Sequence, residues 1–233
     1  SATKGQEKAY QQLIASKQKQ AATIRAALFG LRDSSAIPFG TAYDYAKQAS
    51  ALTRVRPALI LAILTQESDL GQNVGSCYVD NILSGSGIGK NTGKVFPNVM
   101  KAPRDTQPFR QITEALGRDW SNTPVSCPQG SGYGGAMGPA QFISSTWMLY
   151  RSRLSQLTGE VTPDPWNPRT AIFATALLMG DNGADAGTRA SERKAALKYF
   201  AGSNWNKKAN AFYGDSVMEL VDDIQSQIDI LNQ

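Results

Sequence analysis

An uninterrupted run of seven apolar residues, from Ala58 to Leu64, restricts the possible folds of this chain more than any other segment. Pro57 directly before the run suits the first turn of an α-helix, and Gly71 after it suits the end of one. A surface helix needs a polar face, so a helix that is apolar all round is buried on every side. The run is also much shorter than the roughly 20 residues that span a bilayer. We therefore predict a buried helix from Pro57 to about Ser68.

The 233 residues divide into three segments by composition and spacing. Over residues 1–33, apolar side chains recur at alternating steps of four and three, which is typical of a coiled coil but also fits an amphipathic helix packed on its own domain. We expect this helix to dock on the domain or to pair with an upstream coiled coil or a partner helix. It carries six Lys or Arg and two Asp or Glu, hence four of the five net positive charges. Residues 34–41 are predicted to be a linker, and residues 42–233 a single domain.

Composition excludes several classes of chemistry. The chain contains no histidine, which excludes Ser-His-Asp and Cys-His catalysis and histidine metal sites. Acid–base chemistry near neutral pH then falls to carboxylates, Lys or Tyr with shifted pKa values. We expect no metal, no cofactor and no nucleic-acid partner.

The two cysteines, Cys77 and Cys127, lie in separate stretches rich in Gly, Ser or Pro. We expect them to form a disulfide, with two free thiols as the alternative. A disulfide implies an oxidising compartment, and therefore an extracytoplasmic location. The sequence shows neither a transmembrane segment nor a signal peptide, so we expect a mature form or an excised domain.

The remaining pattern predicts a mainly helical domain with a long insert. Residues 71–108, rich in Gly, Ser, Asn and Pro, are expected to form a loop with a small hairpin. Asn167 and Ser191 are predicted N-caps. The predicted helices span residues 42–52, 57–68, 109–120, 139–157, 168–180, 191–202 and 210–232.

Glu67 is the most informative carboxylate. It follows the apolar run within one helical turn, so its carboxyl should lie near buried surface, and desolvation should raise its pKa. The negative end of the helix dipole acts in the same direction. A carboxylic acid that stays protonated near neutral pH is what a general acid for glycosidic cleavage requires. The alternative is an ordinary glutamate that reaches solvent from the end of its helix.

A glycine-rich segment from Gly134 to Trp147 is the second candidate site. Gly135 and Gly138 permit close approach of a ligand to the backbone. Gln141, expected in the first turns of the following helix, offers a donor and an acceptor to a sugar. The alternative is a turn that starts a helix, with Trp147 packed in the core.

These segments together resemble the lytic transglycosylases of the goose-lysozyme-like superfamily. The long gap between the Glu-Ser pair and the glycine-rich motif resembles the membrane-bound B-type branch. The similarity covers roughly residues 42–225 and implies a mainly α, lysozyme-like α+β fold. The resembling segments are Glu67-Ser68, Gly135-Ala-Met-Gly-Pro-Ala-Gln-Phe142 with Trp147, Asp164-Pro-Trp-Asn-Pro168, Lys198-Tyr-Phe-Ala-Gly202, and Tyr213 before the last helix.

The resemblance implies a role for each matched residue. Glu67 would be the only catalytic acid and base, and Ser68 would orient the substrate or the catalytic groups. The implied reaction cleaves the β-1,4 bond between N-acetylmuramic acid and N-acetylglucosamine in peptidoglycan and forms 1,6-anhydromuramoyl products. Phe200 departs from the family, which has Asn there. The residues implied to line the glycan groove are Met137, Gln141, Tyr199 and Tyr213.

Two other functions remain open. A hydrolytic muramidase would need a second carboxylate across the sugar from Glu67. A non-catalytic cell-wall binding module would keep the groove without the chemistry; the intact Glu67-Ser68 pair argues against it, and the Phe200 departure argues mildly for it. The candidates for a second carboxylate are Asp69, Asp80, Asp119 and Asp164.

Overall fold

The computed structural model describes residues 12–13, 15–17, 20 and 36–232. The helix predicted over residues 1–33 therefore lies almost wholly outside the described residues. The helix predicted from residue 42 begins at Phe39, within the segment 34–41 that was predicted to be a linker. Ile37 before it is buried, and its N–H donates to the Leu70 carbonyl at 2.7 Å. Apolar side chains thus tie this segment to the domain.

Seven α-helices and one small sheet make up the long described segment, residues 36–232, together with four short 3-10 helices. The prediction of a mainly helical fold with a small β insert is confirmed. No helix among the described residues is long and apolar enough to cross a membrane. In chain order the elements are α1 (Phe39–Thr53), α2 (Pro57–Ser68), β1 (Cys77–Asn81), β2 (Ser86–Gly89), β3 (Val95–Phe96), α3 (Thr106–Ala115), α4 (Ser144–Thr158), α5 (Pro168–Asp181), α6 (Arg189–Ala201) and α7 (Ala211–Leu231).

Helix α2 lies at the centre of the domain. Every residue of its apolar run has 0% exposure, as the sequence predicted, and α1, α5 and α7 pack around it. Burial of each of its Leu and Ile side chains stabilises the fold by about 1.5–3 kcal/mol. At its start, the Arg56 guanidinium donates to both oxygens of the fully buried Glu192, at 2.6 and 2.7 Å, which ties α2 to α6. At its end, Asp69 adopts a left-handed conformation that terminates the helix.

The insert folds as a three-stranded antiparallel sheet in the order β1-β2-β3. The expected hairpin is thus present with one additional strand. Gly87 is required in β2, because a Cβ there would lie 1.9 Å from the Tyr78 carbonyl oxygen. The predicted disulfide between Cys77 and Cys127 is present, with its Cα atoms 5.0 Å apart, and joins β1 to the loop before α4.

Two predicted helix starts need correction. The helix predicted from residue 139 begins only at Ser144, because Gly138 and Gln141 have φ of 62° and 54° and residues 138–142 form a turn instead. The N-cap of α6 is Thr188 rather than Ser191. The Thr188 hydroxyl accepts from the Ser191 N–H, and the Ser191 hydroxyl accepts from the Thr188 N–H, in a capping box.

The helix predicted over residues 109–120 also has different bounds. Helix α3 spans Thr106–Ala115 rather than 109–120, and Trp120 begins a separate 3-10 turn. Asn167 caps α5 as predicted, since its side chain accepts from the Thr170 N–H at 3.1 Å.

Candidate active site

A cleft of two adjoining cavities runs past the end of α2. Glu67 and Gln141 line both of them. The first, here called the α6 cavity, has a volume of about 490 Å³, and its walls include Phe142, Asn182, Lys198, Tyr199 and Phe200. The second, here called the sheet cavity, has a volume of about 560 Å³, and its walls include Asn73, Ser76, Lys90, Ser126, Cys127 and Gln129. Glu67 therefore lies between two spaces that can each hold part of a chain-like ligand.

The Glu67 carboxyl lies in the last turn of α2 and is partly buried. Burial raises its pKa above the ordinary value, as the sequence predicted, while a hydrogen bond from the Tyr213 hydroxyl to Oε1 acts in the opposite direction and is the smaller effect. Tyr213 itself is 3% exposed. Burial and the nearby Glu67 charge hold the pKa of its phenol well above 10, so it remains a hydrogen-bond donor. The pair can therefore present a protonated carboxylic acid to the cleft.

Glu67 is the only carboxylate among the described residues that lines either cavity. Asp69 is exposed at the end of α2, and Asp80 accepts a hydrogen bond from a β2 serine at 2.9 Å. Asp119 caps a 3-10 helix, while Asp164 pairs with an arginine at 3.0 Å and caps its own turn. The four sequence candidates for a second carboxylate therefore lie outside these cavities.

Gln141 reaches the cleft from a turn rather than from a helix. Its backbone has a φ of 54°, and its side-chain Nε2 donates to the Gly138 carbonyl at 2.8 Å. Gly138 is required for packing rather than for ligand approach, because a Cβ there would lie 1.9 Å from the Pro165 carbonyl oxygen. Gly135 likewise faces Met100, whose side chain lies 3.2 Å from where a Cβ would be. Close packing at these two glycines positions the turn that carries Gln141.

Ser68, Met137 and Tyr213 line neither cavity, in contrast to the groove positions predicted for Met137 and Tyr213. Met137 is fully buried, and its N–H donates to the Phe142 carbonyl. Ser68 is 1% exposed; its hydroxyl donates to the Pro139 carbonyl at 2.6 Å and accepts from the Gly71 N–H at 2.9 Å. Ser68 thus joins the end of α2 to the turn that carries Gln141.

The two sequence-assigned tyrosines converge near Glu67. Tyr199 lines the α6 cavity, and its hydroxyl donates to the Ala140 carbonyl at 2.5 Å. Burial, with a smaller contribution from the Glu67 charge, raises the pKa of this phenol well above 10. Both tyrosine hydroxyls therefore have protein partners, and the Tyr199 ring forms part of the cavity wall.

Sequence reasoning missed most of the polar cleft residues. Lys90 and Asn73 come from loops of the insert, and Asn182 and Lys198 come from the end of α5 and from α6. No spacing pattern marks them, because they meet only through the tertiary fold. Among the described residues, no group of three or more His, Cys, Asp or Glu side chains could hold a metal ion.

Comparison with solved structures identifies three related proteins. A 36 kDa muramidase/transglycosylase superposes with a TM-score of 0.55 over 82% of this chain and 72% of its own, at 16% identity. The Escherichia coli lytic transglycosylase Slt35, solved in complex with bulgecin A, gives 0.44 over 60% of this chain, at 21% identity. The soluble lytic transglycosylase SltB1 from Pseudomonas aeruginosa gives 0.45 over 69% of this chain and 50% of its own, at 19% identity.

The match to the 36 kDa protein, at 16% identity, shows the fold alone. The chain spans 40% of the length of Slt35. No curated protein sequence gives a significant match. The similarity to the 36 kDa protein confirms the lysozyme-like fold predicted from the sequence, whereas assignment to the B-type branch stays a prediction. Residues 39–223 match the transglycosylase SLT domain, and the chain therefore belongs to that family.

Proposed function

We propose that this domain is a peptidoglycan lytic transglycosylase that cleaves the β-1,4 bond between N-acetylmuramic acid and N-acetylglucosamine. The observation that carries the proposal is the position of Glu67. It is the only carboxylate of the described chain that lines the two cavities, it is partly buried, and Tyr213 holds one of its oxygens. Membership of the transglycosylase SLT domain family supports the same reaction.

The proposed mechanism uses Glu67 twice. As a general acid, it protonates the glycosidic oxygen while the bond to the muramoyl anomeric carbon breaks. The 2-acetamido oxygen of the substrate stabilises the positive charge that develops there. As a carboxylate, Glu67 then takes the proton of the muramoyl 6-hydroxyl, whose oxygen bonds to the anomeric carbon and closes a 1,6-anhydro ring. Each proton that Glu67 gives is thus returned, and no water is consumed.

The surroundings of Glu67 suit both steps. Desolvation favours its neutral form before cleavage, and the Tyr213 hydroxyl stabilises the carboxylate that forms afterwards. Two-carboxylate glycosidases place a second acid to activate water or to attack the sugar. Neither the α6 cavity nor the sheet cavity is lined by a second carboxylate of the described residues, which favours ring closure over hydrolysis.

The shape of the cleft supports a polymeric substrate. Glu67 lines both the α6 cavity and the sheet cavity, so two parts of one glycan strand can be held beside the acid at once. Each cavity is in the size range of small-ligand sites, roughly 300–1,000 Å³. We propose glycan strands of peptidoglycan as the partner and an extracytoplasmic place of action, which the Cys77–Cys127 disulfide supports.

Digestion of purified peptidoglycan by the full chain, followed by mass analysis of the released muropeptides, tests this function. We expect 1,6-anhydro products. Products heavier by one water would show a hydrolytic muramidase instead, and no release with retained binding to sacculi would show a non-catalytic wall-binding module.

Variants separate the chemistry from binding. Glu67→Gln removes the proton donor with little change in shape, and we expect turnover to fall by about 10²–10⁴-fold while binding to sacculi persists. Asp80→Asn is the matched control, because Asp80 is exposed and lines neither cavity, and it should retain full activity. An active Glu67→Gln protein would refute the assignment of the acid.

A further inference from the structure

Phe200 lies in the last turn of α6, on the wall of the α6 cavity. Its ring stacks on that of Tyr213, with centroids 4.5 Å apart and an interplanar angle of 12°. Phe212 packs edge-on against it at 5.6 Å. Phe200 is 46% exposed, whereas Tyr213 is 3% exposed. The phenol that contacts Glu67 is therefore covered on one face by an aromatic ring at the edge of the cleft.

The packing of α6 on α7 sets this stack. Gly214 allows the two helices to approach closely, because a Cβ there would lie 2.9 Å from the Leu197 side chain. Arg193 also donates to Asp215 at 2.8 Å across the same contact. Phe200 lies one turn after Leu197, and Tyr213 lies one residue before Gly214, so the two rings meet where the helices come closest.

The stack restricts the Tyr213 side chain. A tyrosine side chain can rotate about two bonds, and its position in the structure brings the hydroxyl to Glu67 Oε1. A stacked aromatic neighbour favours that position beyond the contribution of simple burial. Because Phe200 is half exposed, its main effect should be on the local position of this ring rather than on the stability of the whole domain.

We propose that Phe200 is a positioning residue: its ring holds the Tyr213 hydroxyl in its hydrogen bond to Glu67. The proposal rests on the function proposed above, in which Glu67 is the acid. Phe200 touches no reacting atom and acts through Tyr213.

Few other charged or titratable groups lie near enough to Glu67 to influence its titration. From α6, the phenol of Tyr199 and the ammonium of Lys198 share its cavity, and from the β2–β3 turn, Lys90 faces it across the sheet cavity. Glu67 forms no salt bridge with any residue of the described chain. The Tyr213 hydroxyl is thus its direct hydrogen-bond partner, and a change in that bond should be visible in its titration.

A kinetic experiment compares four variants of the full chain. Phe200→Ala should lower kcat by about 3- to 10-fold, the factor that corresponds to a typical aromatic pair, and leave KM within about twofold. Phe200→Tyr keeps the stacked ring and should restore kcat. Tyr133→Ala is the matched control and should leave kcat unchanged, because it removes an aromatic ring that is 53% exposed and lines neither cavity. Tyr213→Phe is the reference for a lost hydrogen bond. A rise in KM with unchanged kcat would overturn the proposal, since it would mean that Phe200 only binds sugar.

A second readout does not depend on activity. The Glu67 carboxyl carbon, assigned by its loss in Glu67→Gln, is titrated by carbon-13 NMR. Because the Tyr213 hydrogen bond lowers the pKa of Glu67, Phe200→Ala should move the titration to higher pH, in the direction of Tyr213→Phe. In the Tyr213→Phe background, Phe200→Ala should add no further shift.

The two readouts separate the two proposals. If the wild-type chain cleaves no glycan but the titration shifts as expected, the proposed function fails and the coupling stands. The positioning role is refuted if folded Phe200→Ala shows the wild-type titration of Glu67, or a titration shifted to lower pH. It is also refuted if Phe200→Ala shifts the Glu67 titration by the same amount in the Tyr213→Phe background as in the wild type.

Discussion

Replacement of the Ser68 hydroxyl by hydrogen, in Ser68→Ala, should both destabilise the domain and impair the cleft. The hydroxyl is buried and bridges the end of α2 to the Pro139 carbonyl, two residues before Gln141. It also accepts the Gly71 N–H. No other described hydrogen bond satisfies either group. The variant therefore leaves one buried acceptor and one buried donor without partners.

The expected magnitude follows from those two groups. Each buried polar group without a partner costs about 1–3 kcal/mol, so we expect the free energy of unfolding to fall by about 2–6 kcal/mol for the two groups. For a domain of this size, each kcal/mol lowers the thermal midpoint by about 2–4 °C, so we expect a decrease of about 4–24 °C. The Ser68 hydroxyl also lies 3.1 Å from the Leu64 carbonyl of its own helix. That carbonyl keeps its bond from the Leu70 N–H at 3.2 Å, so the loss of this contact adds little.

Urea unfolding of Ser68→Ala beside Thr65→Val tests this reasoning. Thr65 is the matched control: it lies on the same helix, and its hydroxyl donates at 2.8 Å to the Leu61 carbonyl one turn back, without any bond across the fold. Thr65→Val should cost less than about 1 kcal/mol. Ser68→Ala should also release muropeptides more slowly at temperatures where it is fully folded. Equal losses of stability in the two variants would refute the bridging role of Ser68.

Three further predictions concern stability. Because burial raises the pKa of Glu67, its stabilising contribution is present at low pH and is lost as pH rises through the folded-state pKa. In calorimetry, Glu67→Gln should therefore unfold at a higher temperature than the wild type at pH 8, and at the same temperature near pH 4. Replacement of Cys77 and Cys127 by Ala opens a loop with a sequence separation of 50 residues and should lower the free energy of unfolding by about 4 kcal/mol in urea titration. Arg56→Met leaves the buried carboxylate of Glu192 without its cation and should cost about 3–5 kcal/mol, whereas replacement of both residues by Met should recover most of the loss in the same titration.

The central helix and its acid could be predicted because local composition determines them. A run of seven apolar residues behind a proline has few alternatives to a buried helix, and a glutamate at its end must then lie at the edge of the core. The disulfide was also predictable, since two cysteines allow only one intramolecular pairing.

The position of the second half of the site was not predictable from spacing. Pro139 after Gly138 looks like the start of a helix, but Gln141 adopts a left-handed conformation that side-chain patterns do not reveal. The turn exists because Gly138 packs on Pro165 and because Ser68 holds Pro139, and both contacts join residues distant in sequence. The polar residues of the sheet cavity were missed for the same reason.

The apolar run of α2 has no side that faces solvent. The packing of the domain is therefore coupled to the reactivity of Glu67 at the end of the same helix. One helical turn separates Ile63 from Glu67, and tightly packed interiors transmit changes in volume instead of absorbing them. Substitutions at Ile60 or Ile63 that merely shift the helix should therefore change turnover before they unfold the protein. Core substitutions along this helix that raise thermal stability should therefore also change the catalytic rate, so the two properties cannot be optimised separately there.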